Sequence, residues 1–88
     1  MASYNLEVTK SAQKDIRKLP RTIIRRVNNK IQNLRLVPRP ADCEKLSGSK
    51  SSYRVRVGDY RIIYTIYDAK IIVSIIRVAH RKDVYRKV

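Results

Sequence analysis

Seven side chains in the second half of this sequence are of the types that handle a phosphodiester: Arg54, Arg56 and Arg61, then His80, Arg81, Lys82 and Tyr85. Metal-independent cleavage of RNA uses the ribose 2′-OH as nucleophile. It needs a group to remove that proton, cations to hold the charge on phosphorus, and a proton for the leaving 5′-oxygen. Arginine suits the second task, because its planar fork of donors matches phosphate oxygens. It suits the first poorly, since its pKa lies above about 12. The obvious proton-transfer residue is therefore His80, the only histidine, because a histidine titrates near about pH 6.5. Its plainer role is a strand-end histidine satisfied by the backbone. Tyr85 can stack on a base or orient a phosphate, and it can equally close a small core. The sequence has no glycine-rich phosphate loop, no carboxylate pair at useful spacing and no His/Cys cluster, so no metal ligands and no cofactor are expected.

The arginines must be positioned by the stretch SYRVRVGDYRIIYTIY, Ser52 to Tyr67. Two alternating runs rich in Val, Ile and Tyr meet at Gly58-Asp59, a two-residue connection that predicts a β-hairpin, because glycine accepts the positive φ of a primed turn. Counting outward sets Val57 against Tyr60, Arg56 against Arg61, Val55 against Ile62, Arg54 against Ile63 and Tyr53 against Tyr64. Arg54, Arg56 and Arg61 then share one face. Val55, Val57, Tyr60, Ile62 and Tyr64 share the other, which is the core side. Like charges opposed on a sheet are destabilising, so the arginine cluster points to an anionic ligand, with a solvated face as the plainer alternative.

Upstream, Tyr4, Leu6 and Val8 alternate with polar residues as in a half-buried strand. Thr9 is placed to cap a short helix carrying Ala12, Ile16 and Leu19, and Pro20 stops it. Pro20 can also open a second helix with Ile23, Ile24, Val27, Ile31 and Leu34 on one stripe, ending near Leu36 ahead of Pro38. The pair forms a helical hairpin. Its polar side holds Arg25, Arg26 and Lys30, a solvated face whose functional alternative is contact with RNA backbone. Pro38 to Ser51 reads as a surface loop anchored by Leu46, with Cys43 a bystander. Beyond Asp68-Ala69-Lys70, a turn of two or three residues, Ile71 to Ala79 reads as an interior strand apolar on both faces. The length of that turn leaves the facing of Arg77 open.

Eighty-eight residues fit one domain with a thin core. Lys and Arg number 21 against 7 Asp and Glu, a formal charge of +14, which favours nucleic acid or an acidic protein partner. The longest apolar stretch, Ile71 to Val78, is interrupted by Ser74 and Arg77, so a membrane is not the expected partner. The N-terminus lacks the apolar core of a signal peptide and the single cysteine forms no internal disulfide, which together predict a cytoplasmic protein.

The string KLSGSKSSYRVRVGDYRIIYTI, followed after one strand by RVAHRKDVY, resembles the RelE-type toxins of the RelE/ParE toxin–antitoxin superfamily. The likeness runs along nearly the whole chain. It implies an α+β fold of order β-α-α-β-β-β over residues 1–88, with the helical hairpin packed on an antiparallel sheet. It also implies a ribosome-dependent endoribonuclease that cleaves mRNA in the A site, held in check by a cognate antitoxin in a hetero-oligomer. By position, Arg54 and Arg56 match two basic residues of the family's active strand, Arg61 its sheet arginine, Arg81 its late arginine and Tyr85 its C-terminal tyrosine. The first two positions are often lysine in the family, and His80 is an added candidate. Two other readings remain: a ParE-like DNA gyrase inhibitor, and a non-catalytic basic RNA-binding module.

Overall fold

The computed structural model describes residues 3–82. Strand β1 (Asn5–Val8) leads into helix α1 (Lys10–Arg17), and helix α2 (Arg21–Leu36) follows. Strands β2 (Glu44–Lys45), β3 (Ser52–Val57), β4 (Tyr60–Tyr67) and β5 (Ile72–His80) then complete one five-stranded sheet of order β1-β5-β4-β3-β2. The architecture is α+β, with two helices packed on the sheet, as expected. The sheet is mixed, however, because β1 pairs with β5 in parallel while every other pair is antiparallel. Alternation in β1 identifies a strand and says nothing of its direction beside a partner more than sixty positions away.

Each helix begins as its cap residues dictate. The Thr9 hydroxyl accepts from the Ala12 N–H at 3.1 Å, closing the first turn of α1. Pro20 stands at the α2 N-cap, its carbonyl accepting from the N–H groups of Ile23 and Ile24. Val27, Ile31 and Leu34 form the buried stripe of α2, and Ala12 is the buried residue of α1. They meet Val55, Val57, Ile62, Tyr64, Ile66, Val73, Ile75 and Val78 from the sheet in one apolar core. Burial of the Tyr64 ring raises its phenol pKa, and the hydroxyl donates to the Pro38 carbonyl at 2.7 Å.

The hairpin register is the one counted from Gly58-Asp59, from Val57↔Tyr60 out to Tyr53↔Tyr64, with Ser52↔Thr65 added. Gly58 has φ +59, the conformation for which the turn selects glycine. Three expectations are corrected. The stretch Pro38 to Ser51 is not all loop, since Glu44 and Lys45 pair with Arg54 and Tyr53. Its apolar anchor is Cys43, which packs against the core as a small hydrophobe, whereas Leu46 is outside that cluster. The connection from β4 to β5 runs from Asp68 to Ile71, longer than two or three residues, because Tyr67 faces Ile72.

The pairing of β1 with β5 stops at Val8↔Ile75, and α1 takes over the exposed edge beyond it. Thr9 donates its N–H to the Ile75 carbonyl and its hydroxyl to the Ile76 carbonyl, each at 3.0 Å. The Asp15 carboxylate accepts the Val78 N–H at 2.9 Å. A helix cap and one carboxylate thus satisfy strand groups that would otherwise need a further strand. Asp15 also takes the Arg77 guanidinium at 2.7 Å, which answers the open question of Arg77: a register shift at Ile63/Tyr64 sets it across from Ile63, and its head pairs with α1.

Candidate active site

Arg56 on β3 and Arg61 on β4 are direct cross-strand partners, and Arg54 lies two residues along β3 on the same face. Arg61 is 5% exposed, Arg56 is exposed and Arg54 is half-buried. Placing a guanidinium at low exposure beside two like charges is unfavourable unless something anionic offsets it. Part of that offset is Glu44. It stands across from Arg54 in the β2–β3 ladder, and its Oε2 accepts from the Arg54 guanidinium at 3.0 Å. Arg54, with smaller contributions from Arg56 and Arg61, holds the Glu44 carboxyl below the usual glutamate range. One ionised carboxylate therefore sits in the field of three arginines.

Sequence reasoning missed Glu44. A two-residue strand has no periodicity to read, and the signal was only its position in the approach to the hairpin. What holds β2 in place is a network around the segment before it. The Arg39 guanidinium donates to Asp68 at 2.8 Å and to the Tyr53 hydroxyl at 3.1 Å, and the Tyr4 hydroxyl donates to Asp68 at 2.8 Å. Arg39 also lies over the Tyr53 ring. Together with the Tyr64–Pro38 bond, these contacts tie Pro38 and Arg39 to β3, to β4 and, through Asp68, to Tyr4 ahead of β1, so that Glu44 meets Arg54.

The remaining expected residues divide. Arg81 is exposed just past β5, and its N–H donates to the Asp59 carbonyl at 2.8 Å, which brings it beside the hairpin turn. Lys82 is exposed next to it, its N–H directed at the His80 Nδ1 at 3.3 Å. His80 is not on the arginine face. It pairs with Tyr60, whose ring it meets edge-on at 5.4 Å, and lines a groove with Tyr60, Asp15, Lys18 and Leu19 on the helix side. The residue that β5 sets against Arg61 is Ala79. Period-two alternation separates His80 from the arginines, and only the β4–β5 register, invisible in the sequence, reveals it. Tyr85 lies outside the described residues.

On α2, Arg25 is exposed, and the Arg26 guanidinium reaches to 3.5 Å from where a β-carbon on Gly58 would stand. Lys30 is paired with Asp42 at 2.7 Å, which keeps that carboxyl below its ordinary pKa. Chemically the arginine face has the donors to hold a phosphate: a buried fork at Arg61, a second at Arg56 and a third paired with Glu44, a carboxylate able to accept a proton.

Three comparisons bear on this geometry. A protein-family model described as ParE toxin of type II toxin–antitoxin system, parDE, matches residues 6–85. Over 87 residues the chain is 32% identical to a putative toxin RelE1 of Methanocaldococcus jannaschii, covering 94% of this chain and 96% of the relative. It is 29% identical over 82 residues to the mRNA interferase toxin RelE of Escherichia coli, covering 91% and 85%. The toxin in the crystal structure of an archaeal RelE–RelB complex from Pyrococcus horikoshii superposes with a TM-score of 0.81 at 30% identity, covering 90% of this chain and 96% of that one.

Proposed function

The chain belongs to the RelE/ParE superfamily of type II toxin–antitoxin toxins, and from that premise we propose that it is a ribosome-dependent endoribonuclease that cleaves mRNA in the A site. The observation that carries the reading is the grouping of Arg54, Arg56 and buried Arg61 with one ionised carboxylate, Glu44, on a single sheet face. A relative 29% identical, matched over 85% of its length, is named an mRNA interferase, which supports the same activity.

The chemistry follows from that grouping. Arg61 and Arg56 take the two non-bridging phosphate oxygens, and Arg81 approaches from the hairpin end. The ribose 2′-oxygen attacks phosphorus and gives its proton to the Glu44 carboxylate. The bond from phosphorus to the 5′-oxygen breaks, leaving a 2′,3′-cyclic phosphate, and the departing oxygen is protonated from outside this cluster. Arginines stabilise the added charge on phosphorus without themselves transferring protons. The face has a base of low strength and no described acid, so correct placement of the message by the ribosome must supply much of the rate. The partner in the cell is a cognate antitoxin, as in the RelE–RelB complexes that this fold resembles, and its chemistry is an acidic or amphipathic segment covering the basic face. The site of action is the cytoplasm, where the ribosomes are.

The test is cleavage of a translated message against cleavage of the same RNA free in solution, with wild type, Arg61→Ala and Arg81→Ala. Faster cutting on the ribosome, lost in both variants while the proteins stay folded, is the expected result. Equal rates on free RNA, or full activity in either variant, would overturn it. A gyrase-directed toxin is the second reading, favoured by the ParE name of the matching family model. Inhibited supercoiling with intact messages would identify it.

A further inference from the structure

Strand β2 covers β3 only as far as Arg54, and beyond it the polar side of α2 lies next to the strand. Between them is an open groove of about 280 Å³ lined by Arg26, Asn29, Lys30, Asn33, Arg56 and Val57. Arg56 belongs both to this groove and to the arginine face, where it opposes Arg61. The two surfaces are therefore continuous over one side chain. Arg26 forms the other cationic wall, close to Gly58, while the charge of Lys30 is committed to Asp42. Asn29 and Asn33 stand one turn apart on the same helix face, and their carboxamides hold no hydrogen bond to any described residue.

Resting on the ribonuclease reading above, we infer that this groove is a subsite for one unpaired nucleotide of the RNA next to the scissile linkage. Arg26 and Arg56 take its phosphate, and the Asn29 and Asn33 carboxamides take the edge of its base. Two kinds of group meet two needs. A guanidinium matches a phosphate, and a carboxamide offers a donor and an acceptor side by side, the pattern a free base edge presents in return. An acidic protein segment could meet the arginines with carboxylates and the amides with its backbone, but the groove runs into the arginine face over Arg56, so an RNA strand held there continues into it, and RNA is the better occupant. The subsite makes Asn29 and Asn33 determinants of which sequence is cut.

The experiment compares the purified full chain with an Asn29→Ala/Asn33→Ala double variant, whose exposed helical positions accept alanine readily. Binding of labelled, 2′-O-methylated RNA hexamers is followed by fluorescence anisotropy, and cleavage sites are mapped on translated message. The double variant should bind its preferred hexamer five- to tenfold more weakly and cut with a relaxed site preference. Arg26→Gln should weaken all hexamers alike. Unchanged affinity together with an unchanged site map overturns the subsite. So does a loss of affinity confined to an acidic peptide probe, which would make the groove a protein partner's seat. If wild type binds hexamers through the asparagines yet cuts no RNA, the ribonuclease reading falls, and what stands is a nucleotide-binding groove with no role in choosing a cut site. If it cuts with a pattern the double variant reproduces, the subsite falls alone.

Discussion

Glu44 and Arg54 face each other across the shortest strand pair of the sheet, with 3.0 Å between carboxylate and guanidinium. Both are surface-accessible, so the pair contributes little to stability. Its importance is positional: it keeps an ionised oxygen among three cations at the edge of the phosphate site. On the ribonuclease reading, an incoming phosphate would compete for Arg54 and free the carboxylate as it binds.

Glu44→Gln should lower cleavage on the ribosome about 100-fold or more, the usual contribution of a positioned base, while RNA affinity stays constant or rises. The pH dependence has a defined sign. Because the arginines depress the Glu44 pKa, the carboxylate is ionised above the ordinary glutamate value and is lost only as pH falls below it. The rate should therefore show no acid limb between about pH 5.5 and 8. A limb centred near about 6.5 would point to a histidine instead.

His80→Gln should leave both the cleavage rate and its pH profile unchanged, since His80 packs on Tyr60 across the sheet from Arg61. A tenfold fall in rate with normal folding would return it to the site.

Asp15→Ala should destabilise the protein by about 2 kcal/mol, because the Val78 N–H loses its acceptor and Arg77 its counter-charge in one step. Urea unfolding should show a lower midpoint at constant slope. A shift of less than about 0.5 kcal/mol would mean that water replaces the carboxylate at that edge.

Ile71 adopts φ +56, a left-handed conformation that is costly for a β-branched residue, and its side chain is 46% exposed. Ile71→Gly should raise stability by about 0.5–1 kcal/mol, the relieved strain exceeding the extra chain entropy of glycine. Thermal unfolding checks this, and a lowered Tm would refute it.

The hairpin was legible in the sequence because everything that sets its register is local: two glycine-turn residues and strict alternation on either side. The sharing of a face by Arg54, Arg56 and Arg61 followed from the same count. The depth of Arg61 was not legible, because it depends on the neighbours that β4 acquires from β3 and β5. Glu44 was missed for a related reason, since a two-residue strand is defined wholly by its partner. His80 was grouped with the arginines as the proton-transfer candidate by residue type, and closeness in sequence to Arg81 carries no information about facing. Alternation does carry it, once Tyr60↔His80 is known.

Among the described residues the first strand, β1, pairs in parallel with the last, β5, residues 5–8 against 72–75. During synthesis, β1 and α1 leave the ribosome long before their partner exists, and Asp15 has no Val78 to hold. The helices and the local hairpin can form early, but the sheet cannot close until β5 has emerged from the exit tunnel. Completion of the fold thus waits on β5: a nascent chain that stops short of it presents arginines without the strand that completes their platform.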